Sequence, residues 1–105
     1  MSTANRRCRE KFHAALHRLA VAEGDVRSRL KGAYRHLRCL SEDQVPSDLR
    51  AEWIAILKAL TRFGPECDPD GTLYQTAIDH TMSRIKNRTG RAMAERIYNL
   101  VQEVD

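Results

Sequence analysis

The chain has 105 residues and a mass of 12.0 kDa, which suits a single domain over residues 1–105. Hydrophobic residues make up 42% and charged residues 30%, a balance that excludes an intrinsically disordered chain. The net charge is +4, and the longest apolar run, "WIAIL", is too short to cross a membrane.

The positive charge is concentrated at the start of the chain. Residues 1–40 contain ten Lys/Arg and three acidic residues, a net charge of +7. Residues 41–83 contain three against eight, net −5, and residues 84–105 contain five against three, net +2. The basic segment can therefore attract either the acidic middle of the chain or an acidic partner. Neutralisation within the fold or across a dimer is favoured, because it requires no other kind of molecule.

The cysteines and the amino terminus indicate a compartment. Three cysteines, Cys8, Cys39 and Cys67, are widely spaced and odd in number, which favours reduced thiols over a disulfide framework. The opening "MSTANRRCREKF" has no apolar core after its arginines, so no secretory signal is predicted. These features predict a cytoplasmic protein.

The first part of the chain has helical spacing. Apolar residues recur at steps of four and three, on one stripe of a helix: Cys8, Phe12, Ala15, Leu19, Ala22 and Val26. The series continues through Leu30, Ala33, Leu37 and Leu40, after a phase slip beside "EGD". Gly24 can end a helix and Asp25 can cap the next one. One long helix with a kink is the alternative, but two helices, ending near Glu23 and Cys39, are favoured.

The remainder of the chain continues the helical pattern without a strand signal. Pro46 precedes a helix that Ser47 or Asp48 can cap, and its apolar face ends at Gly64–Pro65. Two further apolar faces run from 73 to 85 and from 93 to 104, separated by "KNRTG", where Asn87 or Thr89 can cap. The sequence therefore predicts an all-α fold, a compact bundle of four or five helices with short loops.

One stretch of the chain carries a family resemblance. The pattern "RLKGAYRHLRCLSEDQVPSDLRAEW" combines a helix that contains an Ala-Tyr step with an acidic turn and a proline. Over residues 26–63 the chain resembles a set of small bacterial proteins of unknown function. That resemblance implies an all-helical fold and assigns no activity and no functional residue.

The loop "FGPECDPDGTLY" combines acidic side chains with glycines and prolines in the manner of a calcium loop. With Gly71 at the sixth position of an EF-hand loop, three acidic residues occupy the first, third and fifth positions. The twelfth position is then Ala77, which cannot ligate a metal. We therefore expect a turn between two helices, with Asp70 or Thr72 as the cap of the next helix, and no metal site.

Other catalytic and cofactor patterns are weak. The chain has no C-x-x-C pair, no glycine-rich phosphate loop and no recognisable nucleophile motif. His13 and His17 stand one helical turn apart without the glutamate of a zinc protease, so we expect an exposed or interface pair. The sequence predicts no enzyme, no cofactor and no small-molecule substrate.

The basic residues form the strongest candidate contact surface for a partner. Two sets could contact nucleic acid or an acidic partner: Arg27, Lys31, Arg35 and Arg38, and Arg84, Lys86, Arg88 and Arg91. A third basic cluster stands near the amino terminus: Arg6, Arg7, Arg9 and Lys11. The alternative is a solvated face that pairs with the acidic residues Glu42, Asp43, Asp48 and Glu52.

The leading interpretation is a non-catalytic protein-interaction or regulatory module that binds another protein or a second copy of itself. A homodimer could form along the first helix, where Ala15 and Ala22 would permit close approach of two helices. The alternative function is binding of DNA or RNA through the basic helix faces. No membrane contact is predicted.

Overall fold

The computed structural model describes residues 3–104, which fold into five α-helices and one small hairpin. The helices are α1 (Thr3–Val21), α2 (Val26–Leu37), α3 (Ser47–Leu60), α4 (Ala77–Arg84) and α5 (Asn87–Glu103). A 3-10 turn (Glu42–Gln44) precedes α3, and strands β1 (Glu66–Cys67) and β2 (Leu73–Gln75) lie between α3 and α4. The prediction of an all-α bundle is confirmed. Within the described chain, no helix is long and apolar enough to cross a membrane.

The break between α1 and α2 lies where the phase slip predicted it. Gly24 has a φ of +96°, a conformation that side chains with a Cβ rarely adopt. Asp25 is the cap of α2, and its carboxylate accepts a hydrogen bond from the backbone N–H of Ser28 at 3.1 Å. The segment therefore forms two helices, as favoured, and not one kinked helix. Helix α1 ends at Val21, two residues before the predicted end near Glu23.

The start of α3 differs from the prediction. Pro46 occupies the cap position, and no side chain caps the helix, so the prediction of Ser47 or Asp48 as the cap was wrong. Proline suits this entry because its ring holds φ at −51°, close to the helical value, while its ψ of 141° is still extended.

The apolar faces of the helices meet in one core. Cys8, Phe12 and Ala15 of α1 are completely buried, and α1 packs on both α2 and α5. The indole N–H of the buried Trp53 donates to the carbonyl oxygen of Leu37 at 3.0 Å, which ties α3 to the end of α2. Of the two alanines named for close approach of a second α1, Ala15 is buried within the same chain and Ala22 is half-buried, so Ala15 is not available to that contact.

The segment between α3 and α4 is a β-hairpin, so the predictions of a simple helix–helix turn and of no strand were wrong here. Strands β1 and β2 pair antiparallel, with Gly71 at a φ of +89° in the turn between them. The cap of α4 is Thr76, whose hydroxyl accepts from the backbone N–H of Asp79, rather than Asp70 or Thr72. Strands of two and three residues are too short to show the alternation that identifies a strand in a sequence.

Candidate functional site

A groove of about 530 Å³ lies between α2 and the first turn of α4. Its walls combine basic, aromatic, apolar and thiol side chains: Lys31, Tyr34, Arg35, Arg38, Cys39, Thr76, Ala77, Ile78 and Asp79. Three of the predicted contact residues of α2 therefore share one depression with the start of α4. The volume lies within the range of natural ligand sites, roughly 300–1,000 Å³.

Helical spacing places the basic residues of α2 on this side. Arg27, Lys31, Arg35 and Arg38 recur at steps of four, four and three, beside the buried face that carries Leu30 and Leu37. We call these four residues the α2 stripe. The stripe runs along α2 from its cap to its carboxyl end.

Two members of the α2 stripe are neutralised by nearby carboxylates. Arg27 pairs with Asp25 at 3.0 Å and also donates to the carbonyl oxygen of Ile85 at 3.3 Å. The ammonium of Lys31 lies 3.1 Å from the carboxylate of Asp79, and this contact is the main reason that the pKa of Asp79 is lowered. Arg27 and Lys31 therefore have local roles in the fold.

The acidic partners in these pairs differ from those expected. The sequence suggested Glu42, Asp43, Asp48 and Glu52 as partners of the basic face. Among the described residues, Glu52 pairs instead with Arg96 of α5 at 2.7 Å. The pKa of Asp25 is lowered first by the hydrogen bond from the N–H of Ser28 and then by Arg27. Two of these three pairs join a basic residue to the acidic middle of the chain, residues 41–83, through Glu52 and Asp79, and the third lies at the cap of α2.

The other two members of the α2 stripe are less strongly neutralised, although the charge of Arg35 also helps to lower the pKa of Asp79. Within residues 3–104, neither Arg35 nor Arg38 forms an ion pair with a carboxylate, and both side chains are exposed. The guanidinium of Arg38 lies over the ring of Tyr34, 6.0 Å from its centre, a cation–π contact. The exposed thiol of Cys39 lies beside them and donates to the carbonyl oxygen of Arg35 at 3.0 Å.

The second predicted basic set is divided between the end of α4 and the start of α5. Arg84 lies over the ring of Phe63, 5.9 Å from its centre, and Arg62 lies 4.8 Å from the same ring. His80 of α4 also packs near this ring, at 5.8 Å between ring centres. Arg84 therefore belongs to a cluster around Phe63, at the end of α3.

The remaining members of that set surround the start of α5. Lys86 is the cap residue, Arg88 and Arg91 follow in the first turns, and all three are exposed. No side chain caps this helix, so the prediction of Asn87 or Thr89 as its cap was wrong. The first turn carries no acidic residue, so these cations add to the positive end of the helix dipole.

The start of α5 and the start of α2 lie against each other. The contact passes through Gly90, whose backbone is close to Val26 and Arg27, and through the bond from Arg27 to Ile85. Arg27 therefore lies beside the start of α5, while Arg35 and Arg38 lie at the other end of α2. Arg84 lies over the ring of Phe63 instead, apart from the contact between α2 and α5.

Pairing of α1 with α2 creates a further basic neighbourhood that the sequence did not predict. Burial lowers the pKa of His36, and the positive charges of Lys11 and Arg18 lower it further. The guanidinium of Arg18 also packs against Gly32 of α2. No sequence spacing relates these residues, because their proximity depends on how two helices face each other.

The structure also places the residues considered for a metal. His13 and His17 are exposed on α1. Glu66 faces His80 at 3.4 Å, and Asp70 accepts a hydrogen bond from the backbone N–H of Thr72. Among the described residues, no group of three or more His, Cys, Asp or Glu side chains is arranged to hold a metal ion.

Comparison with known proteins assigns no function to this chain. No family model matches the chain, and no curated protein or solved structure matches it. The resemblance of residues 26–63 to small bacterial proteins stays a prediction. The groove between α2 and α4 is therefore the feature on which a functional proposal rests.

Proposed function

We propose that the protein is a non-catalytic interaction or regulatory module that binds an acidic protein segment in the groove between α2 and α4. The observation that carries this proposal is the pair of exposed guanidinium groups of Arg35 and Arg38, which lack a carboxylate partner within residues 3–104. Arginine suits this role because its planar fork binds a carboxylate through two parallel hydrogen bonds.

The rest of the groove favours a peptide over an isolated ion. Tyr34 and Ile78 provide aromatic and apolar surface beside the arginines, and Thr76 adds a hydroxyl group. An acidic segment that also carries apolar side chains would contact both kinds of surface. The site needs no cofactor, and the proposed role involves no chemical step.

Nucleic acid is the less favoured partner of the groove. Binding of a phosphate backbone depends on a track of cations that are free to release their counterions. In the α2 stripe, Arg27 and Lys31 are already paired with carboxylates, so among the described residues two cations without an ion pair remain and not a continuous track. The start of α5, with Lys86, Arg88 and Arg91, is the surface that supports the nucleic-acid alternative.

A reducing compartment suits this module. All three cysteines are free, and Cys39 and Cys67 are exposed. Exposed thiols persist in the cytoplasm, where glutathione keeps them reduced, and are liable to oxidation outside it. We therefore place the protein in the cytoplasm as part of the same proposal.

The test is a titration of the protein into a fluorescein-labelled peptide of alternating glutamate and tyrosine, followed by fluorescence anisotropy. Replacing both Arg35→Gln and Arg38→Gln should weaken binding by roughly tenfold or more, because two charge-assisted contacts are lost. The matched control carries Arg6→Gln and Arg7→Gln, which removes the same charge from exposed positions of α1. The control should bind as the unchanged protein does.

Two results would overturn the proposal. If the groove variant and the control lose the same affinity, binding follows net charge and not the groove. If a random DNA duplex binds with a steep salt dependence and the peptide does not bind, the nucleic-acid alternative replaces the proposal. In that case, replacing Lys86, Arg88 and Arg91 with glutamine should abolish the DNA binding.

A further inference from the structure

The hairpin of residues 66–75 is an acidic and partly apolar projection. Asp68 and Asp70 lie at its tip, both exposed and without an ion pair in the described part of the chain. Leu73 and Tyr74 on β2 are 57% and 69% exposed. The hairpin thus presents the combination of carboxylates and apolar surface that the groove is suited to bind.

Hydrogen bonds hold the tip of this hairpin in a defined shape. The N–H of Asp68 donates to the carbonyl oxygen of Thr72, and the N–H of Gly71 donates to the carbonyl oxygen of Asp68, both at 2.8 Å. The carboxylate of Asp70 accepts from the N–H of Thr72 at 3.0 Å, which lowers the pKa of Asp70. A segment with a preformed shape loses less conformational entropy when it binds.

The base of the hairpin is anchored to α4. A ring nitrogen of His80, Nδ1, lies 3.0 Å from the carbonyl oxygen of Gly64, and its Nε2 lies 3.4 Å from the carboxylate of Glu66. Beyond this base, the two strands contact chiefly each other. The tip therefore extends from the body of the protein and is free to meet another molecule.

The hairpin and the groove are neighbours along the chain. Strand β2 ends at Gln75, and Thr76, the next residue, already lines the groove. In a dimer with two-fold symmetry, the same two surfaces meet twice. An axis near Thr76 would bring each hairpin over the groove of the other copy.

The charges of the two surfaces match in number. Because Lys31 is paired with Asp79, Arg35 and Arg38 are the unpaired cations of the groove. The hairpin tip offers two unpaired carboxylates, those of Asp68 and Asp70. Tyr74 adds a ring that could stack on a guanidinium, as Tyr34 does with Arg38.

We propose that the protein forms a two-fold homodimer in which the acidic hairpin of each copy occupies the basic groove of the other. This inference rests on the proposed function, since it names a second copy as the source of the acidic segment. It also replaces the earlier basis for a dimer, the stripe of α1, in which Ala15 is buried within one chain. The docked groove would then be closed to other partners, and an acidic competitor would have to displace the hairpin.

Charge reversal tests this arrangement. One variant carries Asp68→Lys and Asp70→Lys, and a second carries Arg35→Glu and Arg38→Glu. Each variant alone should be a monomer, because its hairpin and groove have charges of the same sign. An equal mixture should form a heterodimer, because both docked contacts then join opposite charges. Sedimentation velocity over a range of concentrations measures all three samples.

The matched control carries Glu95→Lys and Glu103→Lys, two exposed acidic residues of α5 outside the hairpin. It changes the net charge by the same amount as the hairpin variant and should dimerise as the unchanged protein does. Rescue in the mixture also rules out unfolding as the reason that each variant is monomeric. A mixture that stays monomeric while the unchanged protein is a dimer would overturn the proposed contact.

The native cysteines provide an independent measurement. Cys39 lines the groove and Cys67 lies on β1, and both are exposed. A short bis-maleimide, in which the C=C bond at each end adds one thiol by forming a C–S and a C–H bond, should join Cys39 of one copy to Cys67 of the other. Mixing isotope-labelled and unlabelled protein identifies links between copies by mass spectrometry. Links between two Cys39 side chains alone would contradict the arrangement.

The two proposals can fail separately. If the protein is a monomer at all concentrations, yet binds the acidic peptide through Arg35 and Arg38, the dimer is refuted and the proposed function stands. If it is a monomer and the peptide does not bind, both are refuted. If it is a dimer whose dissociation constant is unchanged by the groove variant, the dimer uses another surface and the inference is refuted.

Discussion

Two buried glycines of the helices allow a sharp test of the packing between α2 and its neighbours. Gly32 lies in α2 and Gly90 lies in α5, and both are buried. Replacing either with alanine removes the same backbone flexibility from the unfolded chain and gains about 0.5–1 kcal/mol of helix stability. The two substitutions differ only in what the new methyl group meets.

At Gly32, the new Cβ would lie 2.7 Å from Nε of Arg18, near the end of a long and flexible side chain that can move. At Gly90, it would lie 2.9 Å from Cγ1 of Val26, a β-branched side chain that is buried and has few alternative rotamers. Overpacking of this kind typically costs about 1–3 kcal/mol. We therefore expect Gly32→Ala to raise the free energy of unfolding by about 0.5 kcal/mol and Gly90→Ala to lower it by about 1 kcal/mol.

Urea unfolding followed by circular dichroism measures both changes, provided that the slope of the transition is the same for all variants. A third variant, Val26→Ala combined with Gly90→Ala, removes the methyl group that obstructs the new Cβ. Its loss of stability should be smaller than the sum of the two single losses, because the two changes share one space. If Gly90→Ala stabilises the protein as much as Gly32→Ala does, the close packing of α5 on α2 is refuted.

Two further predictions concern buried polar and ionisable groups. Thr81 is completely buried, and its hydroxyl accepts from the N–H of Phe63 at 3.2 Å, so Thr81→Val should lower the free energy of unfolding in urea by about 1 kcal/mol; an unchanged value would refute the hydrogen bond. Burial raises the pKa of the Cys8 thiol from 9.0 to about 11, so the unfolded chain loses this proton first as the pH rises. Stability should therefore fall from pH 9 to 11, and Cys8→Ala should reduce that fall by up to about 2 kcal/mol, measured by urea unfolding at each pH; an equal fall in both proteins would contradict this assignment.

The helices could be predicted because their signals are local. The steps from Cys8 to Phe12 and Ala15 place these residues on one side of any α-helix, and burial selects that side as the core. Gly24 and Asp25 likewise act within a few residues of their own positions. Spacing and caps of this kind depend on helix geometry alone, so one sequence is enough to identify them.

The hairpin could not be predicted, because its strands are short and its support is distant. The pairing of β1 with β2 depends on the turn around Gly71 and on the contact of His80 with Gly64 and Glu66. Ala77 at the twelfth loop position argues against a calcium site, but the sequence of this loop is compatible with both a plain turn and a hairpin. A two-stranded hairpin is marginal by itself, so only its attachment to α4 determines that it forms.

Residue spacing is enough to predict the helices and a stripe of four cations along α2, because both follow from the geometry of a helix. Which of those cations form ion pairs depends on how the helices pack. Asp79 forms an ion pair with Lys31 because α4 packs against α2, whereas no carboxylate among the described residues forms an ion pair with Arg35 or Arg38. Charge pairing depends on distances of a few ångströms between segments far apart in the chain, and such distances exist only once the helices have packed.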